Sequence, residues 1–213
     1  MKITIPQTQQ VIDAVLASYG YSLEERGAIG DVILYGALSG SSQGLPKLFG
    51  WRIERDPTAD KPAVEHTSAT TVRVDGRRNN SMYACSIALR EAELTAREHG
   101  MAAVAVYNTD NSSGPIGYYT SALASKGFAG IMFSSADPGL APAGSRRPVF
   151  GTNPLAISLP YRQSSITLDM STASYTWGDL VAHEISGSPL KDGHAFDSRV
   201  IRQLIRQLPR RVM

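Results

Sequence analysis

Residues Thr70–Tyr107, TTVRVDGRRNNSMYACSIALREAELTAREHGMAAVAVY, decide the fold class of this chain. Thr70–Val74 is rich in β-branched residues and predicts a strand. Asn80–His99 predicts a long helix, which Gly100 ends as a C-cap. Met101–Tyr107 is a short apolar run that predicts a buried strand. A strand, a helix and a second strand in succession predict a mainly or partly parallel sheet covered on both faces.

The same alternation continues toward the C-terminus. The pattern predicts two further helices and three further strands, namely helix Tyr118–Lys126, strand Phe128–Phe133, strands Leu155–Leu159 and Ile166–Leu168, and helix Tyr175–Ile185.

The first fifty residues have helical spacing instead. One helix has an apolar face made of Val11, Ile12, Val15, Leu16 and Tyr19. A second helix is predicted to begin at Ser22, where Ser22 and Glu25 can form a capping box. A short third helix is predicted around Leu45, Leu48 and Ile53. We therefore expect an α/β protein with a helical N-terminal region (residues 1–65), an α/β domain (residues 66–198) and a separate tail (residues 199–213).

Composition limits the classes of function. The chain has 213 residues, 42% of them hydrophobic, so it can bury a sizeable core. Its net charge of +2 gives no excess for nucleic-acid binding. No apolar run is long enough for a membrane span or a signal peptide. The single cysteine, Cys85, excludes an internal disulfide and suits a reducing compartment. We expect a soluble cytoplasmic protein that binds neither nucleic acid nor membrane.

Three loops carry residues suited to chemistry. The first, Gly40–Leu48 (GSSQGLPKL), places Gln43 and Lys47 after a helix, and the Lys47 ammonium can pair with a substrate carboxylate. The alternative is an ordinary turn between helices with a solvated lysine.

The second loop, Asn108–Tyr119 (NTDNSSGPIGYY), leaves the carboxyl end of a predicted strand, where open α/β sheets bind their ligands. Ser112 and Ser113 offer hydroxyl donors there, and Gly114 and Gly117 permit close approach of the backbone. The alternative is a Gly-Pro turn that only leads into the next helix.

The third loop region combines Phe150–Pro160 (FGTNPLAISLP) with Ser165–Ser174 (SITLDMSTAS). Both couple an apolar strand to a turn rich in small polar residues, which can hold an anion on free backbone N–H groups. The hydroxyls of Ser171, Thr172 and Ser174 can also cap the next helix, and both segments can be plain turns. No GxGxxG or GxxxxGK[ST] motif is present, so neither a Rossmann fingerprint nor a P-loop is predicted.

Taken in order, SSQGLPKL, VDG, NSSGPIGYY, FGTNPLAISLP and LDMSTAS resemble the malate/L-lactate dehydrogenase-like family over roughly residues 1–198. That family includes sulfolactate, ureidoglycolate and diketogulonate dehydrogenases and some cyclic-imine reductases. The resemblance implies a non-Rossmann layered α/β fold, NAD or NADP as cofactor and a small-molecule carboxylate substrate. It also implies a homodimer with the site near the subunit interface, and no metal.

The resemblance assigns residues to the cofactor site. These are the turn Gly151, Thr152, Asn153 and Pro154, the run Ser165, Ile166, Thr167, Leu168, Asp169, Met170 and Ser171, and, by a looser match, Ser134 and Ser135.

The catalytic positions depart from the family pattern. Gln43 stands where relatives have a histidine, Lys47 replaces an arginine, and Ser112 occupies the place of a second histidine. We expect Lys47 to orient the substrate carboxylate and Gln43 or Ser112 to polarise the reacting heteroatom. A serine cannot act as a near-neutral acid or base as histidine does. A protonated cyclic imine suits such a site, because hydride transfer to an iminium carbon needs no strong general acid at nitrogen.

The tail is the other departure. Relatives continue after a segment like Leu190–Ser198 with a glycine-rich lysine motif, whereas Arg199–Met213 has five arginines, no acidic residue and no glycine. One interpretation is a truncated or frameshifted chain, which predicts uncovered apolar surface. The other is a basic amphipathic helix with Val200, Ile201, Leu204, Ile205 and Leu208 on one face. Two alternatives to an active oxidoreductase therefore stay open. One is an inactive fragment or pseudoenzyme, and the other is an interaction module that uses the tail.

Overall fold

Two helices and a short 3-10 turn form the N-terminal part of the computed structural model, which describes residues 3–48, 53–142, 145 and 147–191. Helix α1 (Ile5–Ser18) begins at Thr4, and helix α2 (Leu23–Leu38) begins at Ser22. The capping box between Ser22 and Glu25 is confirmed. The expected third helix is only a 3-10 turn, Leu45–Leu48.

The core forms where α2 packs against α1 on one side and against the helix Ser81–His99 on the other. Its wholly buried side chains include Ile12, Leu16, Ile29, Val32, Ile33, Val72, Val74 and Met82. Val11, which was expected on the buried face of α1, is 49% exposed. The buried face of α1 is made by Thr8, Ile12 and Leu16 instead, because four-residue steps keep them on one line.

The first sheet contains strands β1 (Ala63–His66), β2 (Thr71–Asp75) and β3 (Ala103–Tyr107) in that order. β1 pairs antiparallel with β2, and β2 pairs parallel with β3. Helix α3 (Ser81–His99) makes the crossover and ends at Gly100 in the left-handed conformation. The strand–helix–strand prediction is therefore confirmed, and β1 spans the domain boundary expected at residue 65.

The second sheet contains β4 (Gly130–Phe133), β5 (Leu155–Tyr161) and β6 (Ser164–Met170), all antiparallel. Helix α4 (Gly117–Ala124) covers one face, whose residues include Ala156, Ser158 and Thr167. One such contact is the Ser158 hydroxyl donating to Thr120 Oγ1 at 2.8 Å. Together the two sheets give the expected mixed, partly parallel α/β architecture.

The last described helix, α5 (Trp177–Ser186), begins after the hydroxyl cluster of Ser171, Thr172 and Ser174 that was expected to cap it. Thr176 is the N-cap and forms a capping box with Asp179. The cluster at Ser171–Ser174 belongs to the preceding turn. None of the helices in the described part of the chain is long and apolar enough to cross a membrane.

The expectation that the sheets are covered on both faces is wrong for the second sheet. Its face away from α4 is apolar along most of the register, with Tyr161 and Ser164 at one end, yet Ile131 is 63% and Phe133 is 74% exposed. This open apolar face consists of Ile131, Phe133, Leu155, Ile157, Leu159, Ile166, Leu168 and Met170. Strand β3 is likewise half-exposed rather than buried. The tail, residues 199–213, lies outside the described residues.

Candidate active site

A cleft of about 1730 Å³ brings the three predicted loops together. Its walls include Gln43 and Lys47 from the first loop, Ser112 from the second and Thr152 from the third. The start of α5 closes the cleft beside the first loop. A cavity of this size exceeds the ~300–1,000 Å³ of a site for one drug-sized ligand. The cleft therefore has room for a dinucleotide together with a small substrate.

Gln43 is half-buried and is held by the beginning of α5. Its Nε2 donates to Thr176 Oγ1 at 3.0 Å. A Cβ atom at Gly178 would lie 2.6 Å from Gln43 Nε2, so a side chain there would push the Gln43 amide out of place. The first loop and α5, which are 133 residues apart in sequence, thus form one wall of the cleft.

Lys47 lies in the 3-10 turn that follows Gln43, and its backbone N–H donates to the Gly44 carbonyl at 3.0 Å. It lines the same cleft, so the one loop supplies a cation and an amide to one wall.

The second loop is held by asparagines in the left-handed region, with φ of 53° at Asn108 and 64° at Asn111. Asparagine tolerates this conformation better than most residues. The Asn108 side chain donates to Asp75 Oδ1 at 2.8 Å, and that of Asn111 donates to the Glu54 carbonyl at 3.0 Å. Within the loop, Gly114 N–H donates to Ser112 Oγ at 3.1 Å, which leaves the Ser112 hydroxyl proton for another acceptor.

Asp169 lies at the end of β6, and its carboxylate caps the beginning of α4 directly. The Gly117 N–H donates to Asp169 Oδ2 at 2.7 Å. A Cβ atom at position 117 would lie 2.9 Å from the Asp169 side chain, so any residue larger than glycine would displace that side chain. Burial raises the pKa of Asp169, and the hydrogen bond from Gly117 opposes that shift only in part. This carboxyl group therefore holds a proton to higher pH than an ordinary aspartate does.

The GTNP turn packs against the loop that follows β4. Ala136 N–H donates to Asn153 Oδ1 at 3.3 Å, and Ser134 N–H donates to the Pro154 carbonyl at 3.2 Å. The Thr152 carbonyl accepts the Ser171 hydroxyl at 3.2 Å. The turns at residues 134–136, 151–154 and 171–172 therefore form one connected wall.

The residues assigned to the cofactor site divide into four groups in the structure. Ser134, Ser135, Thr152, Pro154, Asp169 and Ser171 line the cleft. Gly151 and Asn153 shape the turn behind it, and Ser165 and Thr167 lie on the side of β6 that faces α4. Ile166, Leu168 and Met170 lie on the open apolar face and do not line the cleft, although Ile131 and Phe133 of the same face do.

Thr176, Trp177 and Asp179 also line the cleft and were missed as site residues. The capping-box pattern of Thr176 and Asp179 was visible in the sequence, but its contact with Gln43 was not. Burial works against ionisation of Asp179, but hydrogen bonds from Thr176 and Ser42 outweigh it, and the pKa is lowered.

No cluster of metal-ligating side chains occurs among residues 3–48, 53–142, 145 and 147–191.

The donor set of the cleft fits a nicotinamide dinucleotide. The wall built by Ser134, Ser135, Thr152 and Ser171 presents neutral hydroxyl groups, which suit ribose hydroxyls and a carboxamide. Lys47 from the first loop lines the same cleft and carries a positive charge that can pair with an anionic group.

The malate/L-lactate dehydrogenase family model matches residues 3–199, so the chain belongs to that family. It is 28% identical over 203 residues to the ureidoglycolate dehydrogenase (NAD(+)) of Escherichia coli, covering 92% of this chain and 58% of the relative. It is 31% identical over 191 residues to a Delta(1)-pyrroline-2-carboxylate reductase of Pseudomonas fluorescens, covering 86% and 56%.

The fold is shared with a solved structure, the malate dehydrogenase of Entamoeba histolytica. The TM-score is 0.85 at 22% identity, over 97% of this chain and 61% of that chain. This chain spans less than two thirds of the length of each of these three proteins.

Proposed function

We propose that this protein is an NAD- or NADP-dependent oxidoreductase that acts on a 2-oxo or 2-hydroxy acid or on a cyclic imino acid. The observation that carries the proposal is one cleft lined both by the hydroxyl groups of Ser134, Ser135, Thr152 and Ser171 and by Lys47 and Gln43. Family membership supports it, because relatives are named as dehydrogenases and as a pyrroline-carboxylate reductase.

In this proposal the hydroxyl wall holds the cofactor. Ser134, Ser135, Thr152 and Ser171 would bind its ribose and carboxamide groups, while Asn153 keeps the turn in place by accepting from Ala136. A nicotinamide, when bound, supplies or takes up a hydride.

The substrate would lie between that wall and the first loop. Lys47 would pair with its carboxylate as a point charge, which orients the molecule without the two-pronged contact that an arginine makes. Gln43 and Ser112 would contact the heteroatom on the reacting carbon. Because Ser112 Oγ already accepts from Gly114, it can serve that atom as a donor.

Asp169 is the group in the described cleft best suited to exchange a proton with a 2-oxo or 2-hydroxy acid, because burial raises its pKa. Proton transfer is most efficient when the pKa of the acid lies near the working pH. A carboxyl group at this place would compensate in part for the two absent histidines.

We further propose that the protein is a cytoplasmic homodimer that pairs through the open apolar face. Eight neighbouring apolar residues on one face exceed the scattered apolar residues of an ordinary surface. Two such faces can pack on one another as the sheets of a sandwich do.

Titration with NADH and with NADPH, followed by the fluorescence of the reduced nicotinamide, tests the proposed function. We expect saturable binding of at least one of them and several-fold weaker binding in Ser171→Ala. Ser165→Ala is the matched control, since Ser165 lies in the same predicted run but outside the cleft, and it should bind like the unchanged protein. Absence of binding by either dinucleotide would support an inactive fragment instead.

A further inference from the structure

We propose that Gln43 presents its amide oxygen to the substrate and that this oxygen selects a substrate carrying N–H at the reacting atom. This selects a protonated cyclic imino acid over a 2-oxo acid. The inference rests on the proposed function and narrows its substrate class.

The orientation of the Gln43 amide is set by Asp179, which acts on it through Thr176. Thr176 donates to Asp179 Oδ2 twice, from its backbone N–H at 2.7 Å and from its hydroxyl at 2.8 Å. An ionised carboxylate can only accept hydrogen bonds. The hydroxyl proton of Thr176 is therefore committed to Asp179.

This commitment determines which end of the Gln43 amide faces Thr176. A hydroxyl group has one proton, so Thr176 Oγ1 can only accept from any further partner. Gln43 Nε2 lies 3.0 Å from that oxygen and donates to it. Reversing the amide would bring its oxygen against an oxygen with no proton to give. The Gln43 carbonyl must then point away from Thr176.

Gln43 lines the cleft on the same loop as Lys47. If Lys47 holds the substrate carboxylate, the heteroatom on the neighbouring carbon lies beside this loop and meets the Gln43 oxygen. The oxygen of a 2-oxo acid has no proton to donate, so its lone pairs would repel those of the Gln43 oxygen. The N–H of a protonated cyclic imine would donate to it, and the chain of hydrogen bonds that ends at the Asp179 carboxylate favours a cation.

The imine also removes the need for a strong acid at this position. Its nitrogen already carries a proton, and it keeps that proton when the electron pair of the C=N bond moves onto it as the carbon receives hydride. A keto oxygen in the same place would need a proton delivered as the bond opens. Gln43 can deliver none, since both of its protons are on nitrogen.

Two planar ring acids test the inference by equilibrium binding to the full 213-residue chain. Pyrrole-2-carboxylate has a ring N–H donor, and furan-2-carboxylate has a ring oxygen acceptor in the same place. Calorimetry would be carried out with saturating oxidised NAD or NADP. We expect pyrrole-2-carboxylate to bind at least about tenfold more tightly, equivalent to ~1.4 kcal/mol.

Variants separate the orientation of Gln43 from a general loss of structure. Thr176→Val removes the hydroxyl that holds the amide and should abolish the preference for pyrrole-2-carboxylate. Thr176→Ser keeps the hydroxyl and should retain it. Gln43→Leu should also abolish the preference. The ratio of the two affinities is the informative quantity, since both ligands report on the same folded molecules.

The possible results distinguish this inference from the function on which it rests. Binding of the dinucleotide with equal affinity for the two ring acids, or with a preference for furan-2-carboxylate, would overturn the inference alone. A preference that survives Thr176→Val would also overturn it. Failure to bind either dinucleotide would overturn the proposed function and the inference together.

Discussion

Replacing Glu25 by glutamine should destabilise the protein far more than the same change at its neighbour Glu24. Glu25 is 5% exposed and accepts from Ser22 N–H at 2.7 Å and from Asn79 Nδ2 at 2.8 Å. Its carboxylate also lies 3.6 Å from Arg55 Nε. Glu24 is 54% exposed on its side chain, and its two ion pairs lie on the surface.

The magnitude follows from these contacts. A glutamine at position 25 keeps one acceptor oxygen but turns an NH₂ group toward the second donor. It therefore loses one hydrogen bond to a charged group, worth about 1.5–3 kcal/mol, and leaves Arg55 without its counter-charge. We expect a loss of about 2–4 kcal/mol in the free energy of unfolding. Glu24→Gln should cost at most about 1 kcal/mol, as for other surface pairs.

Urea denaturation at several pH values checks both the size and the sign. Burial of Glu25 alone would raise its pKa, but hydrogen bonds from Asn79 and Ser22 outweigh burial and lower it. The stabilisation by Glu25 is therefore complete above its unfolded pKa near 4.5 and is lost as the pH falls through the lower folded value. Equal losses for the two glutamine variants at pH 7, or a difference that grows in acid, would refute the reasoning.

Three further predictions follow from the site and from the open apolar face. Gly117→Ala should lower stability in urea by about 1–3 kcal/mol, because its Cβ would crowd Asp169. Its control Gly27→Ala, in α2 with no atom within 4 Å, should raise stability by about 0.5–1 kcal/mol. Asp169→Asn should raise the urea midpoint at pH 7 but not at pH 3. Burial raises the pKa of the Asp169 carboxyl, so its ionisation in the folded protein costs stability as the pH rises. Equal midpoints for the variant and the unchanged protein at pH 7 would contradict this. Phe133→Asp should weaken self-association through the open apolar face in sedimentation experiments. Leu94→Asp, which changes an exposed leucine on α3, should leave self-association unchanged. Unchanged sedimentation of Phe133→Asp would argue against pairing through the open apolar face.

Much of the local structure could be predicted because it depends on near neighbours in sequence. The capping box at Ser22, the crossover helix and its end at Gly100 follow from short-range patterns. The cap of α5 was misplaced, because Ser171, Thr172 and Ser174 are equally good N-cap residues. The acidic residue three positions later, Asp179, distinguishes Thr176 from them, and the hydrogen bonds between these two residues form the cap.

Long-range contacts account for what the sequence could not predict. An apolar strand such as β4 has the same pattern whether its second face is covered or open, so the interpretation of a truncated chain predicts uncovered apolar surface without locating it at Phe133. The pairing of Gln43 with Thr176 and that of Gly117 with Asp169 join segments that no local pattern connects. Those two contacts decide which atoms the cleft offers to a ligand.

Hydride transfer itself is the most direct test of the proposed activity. The full chain would be incubated with NADH or NADPH deuterated at C4 of the nicotinamide and with a cyclic imine 2-carboxylate, and the product would be analysed by mass spectrometry. The account predicts a saturated cyclic amino acid with one deuterium at C2, formed faster than a 2-hydroxy acid is formed from the matching 2-oxo acid. A protein that binds the dinucleotide but transfers no deuterium to either substrate would contradict it.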